Sequence, residues 1–138
     1  MLRSVGMDRR HPAVVALAML ALGITGCSGT DPVQRSGSSI LLVASQQPEA
    51  YMDAQILGTL TRTDAGCLAL EQGEETYVLQ FPYGSVLADD GESVEVPDLG
   101  RLTIGDAIDG GGGYATGIAD APEECREGDE FAIWQTLE

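Results

Sequence analysis

Short apolar runs alternate with turn signals along most of this chain, and no stretch of helical length keeps a 3.6-residue period. Residues 76–81, TYVLQF, set Tyr77, Leu79 and Phe81 against Val78 and Gln80, the two-residue period of a strand. Residues 55–62 (QILGTLTR) and 67–70 (CLAL) are strand-length runs joined by TDAG at 63–66, so they read as a hairpin. A polar turn around Gly73 comes next, and Pro82, Tyr83 and Gly84 end the run that follows it. Shorter runs at 85–88, 94–96 and 101–104 are punctuated by Asp89-Asp90-Gly91, Pro97 and Gly105-Asp106. Residues 114–119 and 130–136 (EFAIWQT) complete the set, with an acidic loop over 120–129 between them. Turn signals at this spacing predict an all-β fold: a small antiparallel Greek-key barrel of the OB type, with a two-sheet sandwich as the alternative.

Three stretches need separate treatment. Residues 40–44, ILLVA, are apolar without alternation and either open the fold or dock on it. The four glycines at 110–113 lack the spacing of a phosphate-binding loop and read as a turn with positive φ or as a close approach between backbones. In the last run Phe131 and Ile133 share one face while Ala132 and Trp134 share the other, and Trp134 is assigned to the core, with a semi-exposed place against a partner as the alternative.

The pattern differs at the N-terminus. Arg3, Arg9 and Arg10 stand against a single Asp8, and residues 12–24 (PAVVALAMLALGI) are uncharged and apolar. A basic segment before an apolar one is the layout of a secretory signal, and the run is shorter than the roughly 18 residues a spanning helix needs. Ile24-Thr25-Gly26-Cys27 resembles the lipobox of bacterial lipoproteins. That resemblance implies a diacylglyceryl group on the sulfur of Cys27, cleavage just before it, and a lipid-anchored, extracytoplasmic place at the cell membrane. Arg9-Arg10 also raises twin-arginine export, but Asp8, His11 and Pro12 beside it suit general secretion better. The expected organisation is a signal peptide at 1–26, a lipidated N-terminus and flexible tether at 27–50, and a β domain at 51–138. The tether reading rests on SGTDPVQRSGSS at 28–39, rich in Ser, Gly and Pro.

Charge then narrows the partners. The whole chain carries −15, with seven arginines, no lysine and 22 acids. Removal of 1–26 takes three arginines and Asp8, which deepens the charge to −17. Such a surface repels nucleic acid and anionic headgroups and favours cations or a basic protein, or serves solubility alone.

Charge and composition also bear on catalysis. The sole histidine, His11, lies in the signal, and without lysine neither Ser-His, Cys-His nor Schiff-base chemistry has its partners. Paired carboxylates remain for a hydrolase, and the acidic loops around Asp89-Asp90-Gly91-Glu92 and at 123–130 supply oxygen ligands for calcium. Neither loop has EF-hand spacing, and solvated acidic loops are the simpler explanation. We therefore assign no catalytic residue, no cofactor and no metal ligand.

Gly58-Thr59-Leu60, Gly66-Cys67-Leu68, Phe81-Pro82-Tyr83-Gly84, Gly105-Asp106, the run at 110–113, Cys125 and Trp134 together resemble small secreted domains of bacterial envelope proteins, over residues 54–135. The resemblance implies a compact β domain with a disulfide and no catalysis. With Cys27 used by lipid, Cys67 and Cys125 are an even remainder in an oxidising compartment, so they are expected to pair. A bridge over that span is worth roughly 4 kcal/mol by chain entropy. The function expected from all this is a membrane-anchored, non-enzymatic envelope module that binds a partner. The alternatives are a carboxylate-dependent hydrolase and a cation-binding structural protein.

Overall fold

Ten strands form in the residues described by the computed structural model, 31–128 and 130–137. They are β1 (Val33–Ser36), β2 (Ser39–Val43), β3 (Ala54–Arg62), β4 (Leu68–Gln72), β5 (Glu75–Phe81), β6 (Val86–Leu87), β7 (Ser93–Val96), β8 (Gly100–Thr103), β9 (Ala107–Ala115) and β10 (Phe131–Leu137). A single 3-10 turn, Glu123–Cys125, lies before β10. No described helix is long and apolar enough to cross a membrane.

Five of these strands close a barrel in the order β3-β4-β5-β10-β9, because β9 returns to β3 and β5 also pairs with β4. The fold is the expected all-β barrel, but its pairing is mixed. β10 runs parallel to β5, through Phe131↔Val78 and Ile133↔Gln80, while the other four junctions are antiparallel. An odd number of strands cannot close into a ring with every neighbour antiparallel, so the purely antiparallel expectation is corrected by closure itself. β6, β7 and β8 form a separate antiparallel sheet. Its Leu87, Val94, Val96 and Leu102 join the barrel core, so the small sheet packs its apolar side chains against the barrel.

The alternating runs behave as their period requires. Leu79 and Phe81 of β5 are fully buried inward, and Phe81 meets Trp134 edge-to-face with ring centroids 5.6 Å apart. Trp134 is only 2% exposed, and its indole N–H donates to the Thr136 carbonyl at 2.8 Å, so the polar atom of this large side chain is satisfied in the core. Val78 and Phe131 point to a second apolar cluster outside the barrel, built around Ile40, Leu42, Ala121, Cys67 and Cys125. Cys67 and Cys125 form a disulfide, with Cα atoms 5.8 Å apart.

Residues 33–43 correct the tether. Rather than a flexible lead, they form the β1–β2 hairpin, and β2 continues the line of β4 along β5 through Leu42↔Gln80 and the bridge Ile40↔Cys67. β2 shows no alternation because both its faces are covered. Leu41 and Val43 enter the barrel core, and Ile40 and Leu42 enter the outer cluster. The β domain therefore begins upstream of residue 51.

The glycine run is inside β9 rather than a turn, and none of its four residues has positive φ. The close-approach reading holds. A Cβ on Gly110 would strike the Thr136 carbonyl, and one on Gly112 the Ile133 carbonyl. β9 pairs with β3 on one side and β10 on the other, across a bulge between Trp134 and Thr136. A five-stranded barrel bends sharply at such a place, and side chains there would keep the strands apart.

Candidate functional site

OB-type barrels bind on the face of their second and third strands, helped by the loops joining strands one to two and four to five. In this barrel those are β4 and β5 with the loops at 63–67 and 116–130. A cleft of about 420 Å³ lies there, lined by Thr61, Arg62, Glu71, Thr76 and Val78 from the strands, and by Asp64, Glu124, Glu127 and Glu130 from the loops. The loop is held over the barrel by the disulfide and braced internally by Arg126, whose Nε donates to the Ala121 carbonyl at 2.8 Å.

The electrostatics of the cleft follow from where the four described arginines are spent. Arg35 pairs with Glu124 at 2.8 Å and Arg101 with Glu95 at 3.1 Å, on the far small sheet. Arg62 donates to the buried Ser39 hydroxyl at 2.9 Å, and Arg126 is committed to its backbone carbonyl. Among the described residues Asp64, Glu71, Glu127 and Glu130 form no salt bridge, so the cleft stays net negative although the Arg62 guanidinium lines it. Glu124 is held below the ordinary carboxylate range, first by its own backbone N–H and then by the Arg35 guanidinium. That direction keeps it ionised and is opposite to what a general acid needs. Tyr77, on the opposite side of β5 and packed against the barrel core, has its hydroxyl pushed up by burial and by Glu75 and Glu130.

The acidic turn at 89–92 has a structural task. Asp90 accepts from the Glu92 and Ser93 backbone N–H groups at 2.9 and 3.1 Å, which closes the turn into β7 and holds its carboxyl below the usual range, the Glu92 bond being the largest cause. Among the described residues no three acidic, cysteine or histidine side chains converge as metal ligands do. Of the residues singled out from sequence, Cys67 and Cys125 come together as a bridge, while Cys27 lies outside the described residues.

A second cavity, of about 380 Å³, escapes sequence reasoning altogether. It opens where β5 leaves β10 beyond the Ile133↔Gln80 pair, between the segment at 44–51, Pro82-Tyr83, the turn at Pro97-Asp98 and the end of β10. Four distant segments build it, and none carries a motif. Its lining includes a single acid, Asp98, and no arginine.

Comparison of the chain with family models, curated proteins and solved structures finds no match. The reading of both cavities rests on their own chemistry.

Proposed function

We propose that this protein is a lipid-anchored, non-enzymatic binding module of the cell envelope, and that it takes a basic protein segment on its acidic β4–β5 face. The observation that carries the proposal is the carboxylate set Asp64, Glu71, Glu127 and Glu130 on the barrel face suited to binding, none of them salt-bridged among the described residues and outnumbering Arg62, the one arginine that lines the cleft. A nucleic acid or anionic glycan meets repulsion there. A Lys- or Arg-rich strand or loop meets charge complementarity, which raises its association rate and sets its orientation. The lipobox resemblance of Ile24-Thr25-Gly26-Cys27 supports the anchor and the extracytoplasmic place. The absence of lysine, and of histidine beyond His11, supports action by contact.

The test uses an octa-arginine peptide as probe for the full chain. Binding is expected to weaken steeply as salt rises past about 0.15 M, where the Debye length falls to about 8 Å. The triple variant Glu71→Gln, Glu127→Gln, Glu130→Gln should lose most of the affinity, while Asp89→Asn with Asp109→Asn, two acids outside the cleft, should keep it. Equal losses from both sets would reduce the effect to bulk net charge. Turnover of an ester or glycan that a single Asp or Glu replacement removes would refute the non-enzymatic reading. For the anchor, an alkyne fatty acid should label the wild type and not Cys27→Ser, and equal labelling would refute it.

A further inference from the structure

The groove beside β10 has the chemistry of a carbohydrate site. Its walls carry the rings of Tyr51 and Tyr83 and the pyrrolidines of Pro48, Pro82 and Pro97. Flat apolar surfaces of this kind pack against the C–H faces of sugar rings, and the phenol hydroxyls remain available at their tips. Between them stand Gln47, Gln80 and Asp98, whose side chains make no hydrogen bond to another described residue. Amides donate and accept at once, and a carboxylate accepts from adjacent hydroxyls, so the set matches a polyhydroxylated ligand. No arginine lines the groove, which leaves carboxylated or phosphorylated ligands without a counter-charge, and one acid is too few to select a polycation. Neutral and polar is the class that remains.

Two features separate this groove from an incidental gap. The first is its preformed wall: the Gln135 amide accepts from the Met52 backbone N–H at 2.7 Å and reaches the Ala50 carbonyl at 3.4 Å, pinning the segment that presents Tyr51. Tyr51 is nevertheless 59% exposed, its backbone neighbours pinned while its ring stays open to solvent. The second is Asp98. It occupies the third position of the turn closed by the Leu99 N–H to Val96 carbonyl bond, at φ 66, and no other non-glycine described residue has positive φ. Glycine is the residue that fits such a position without strain, and the turn makes no use of the Asp98 carboxyl. The one non-glycine residue with positive φ among the described residues therefore lines the groove with a carboxyl that its own turn leaves free.

We propose that this groove binds a neutral oligosaccharide, with Tyr51 and Tyr83 as stacking surfaces and Gln47, Gln80 and Asp98 as hydroxyl partners. Its volume of about 380 Å³ is at the small end of ligand pockets and suits about two pyranose rings. The proposal stands on the groove alone and does not depend on the acidic face.

Trp134, the sole tryptophan of the chain, lines the groove and serves as reporter. The experiment titrates the purified full chain with the neutral trimer of N-acetylglucosamine and, separately, with a neutral glucose trimer, following binding heat by calorimetry alongside Trp134 emission at low and high salt. A saturable change with at least one trimer, insensitive to salt, is expected. Tyr51→Ala and Asp98→Gly should each weaken it by about tenfold. Asp98→Gly is the discriminating variant, because glycine at this φ should leave the thermal midpoint equal or higher while binding falls. No saturable change with either trimer below about 10 mM would overturn the proposal. So would binding by both variants at wild-type strength.

Discussion

The acidic face and the groove beside β10 are built on one barrel yet differ in almost every physical respect. The first is a sheet face covered by a loop, stapled by a disulfide and rich in unpaired carboxylates. The second is a gap left where two strands diverge, walled by tyrosine, proline and glutamine with one carboxylate. Salt screens the first and leaves the second alone, because long-range Coulomb attraction serves only the charged site. The difference teaches that net charge, the most conspicuous property of the sequence, describes one region of the surface and says nothing of the other.

Several substitutions would break or sharpen that contrast. The largest effect is expected from Gly112→Ala, whose Cβ would press on the Ile133 carbonyl inside the barrel. It should cost about 4 kcal/mol or more and abolish both sites together in denaturant unfolding; a wild-type midpoint would show that closure does not depend on the bare backbone. Replacing Cys67 and Cys125 by alanine should cost about 2–5 kcal/mol. It should also expose the loop at 116–130 to protease while Trp134 emission stays native, so the acidic face fails before the groove. Simultaneous loss of both would merge the two regions into one cooperative unit. Ser39→Ala removes a buried hydroxyl that accepts from Arg62 and donates to the Gly91 carbonyl, and should cost about 1–3 kcal/mol. Hydrogen exchange should then quicken over residues 33–43.

The smallest effect concerns pH. Glu124 titrates below its ordinary 4.5 in the folded state, so the stability it contributes is fully present above that value. That contribution is lost as pH falls through the lower, folded value. The 116–130 loop should therefore loosen in acid before the barrel does, and Arg35→Ala should narrow the gap between them. Unchanged protease resistance of the loop on acidification would contradict this.

Where a segment's partners are its own alternating neighbours, the sequence was readable. TYVLQF and EFAIWQT became β5 and β10 with the faces their period assigns, and Trp134 went to the core. Readability failed where distant groups decide. VQRS looks like a tether by composition. In the fold, Gln34 bonds the Ser85 carbonyl and the Leu87 N–H, and Ser36 donates to the Asp89 carbonyl, so these polar side chains fasten β1 to the small sheet. The parallel β5–β10 pair follows from ring closure, which no local pattern encodes. The groove draws on four separated segments, and only their assembly brings Tyr51, Tyr83 and Asp98 together.

The central claim is that the acidic β4–β5 face takes a cationic partner. Amide NMR of the full chain during titration with octa-arginine tests it most directly. Shift changes should gather at Arg62, Asp64, Glu71 and residues 124–128, fade as salt rises, and leave Tyr51, Tyr83 and Asp98 still. Changes spread evenly over all acidic turns, or centred on the groove, would contradict it.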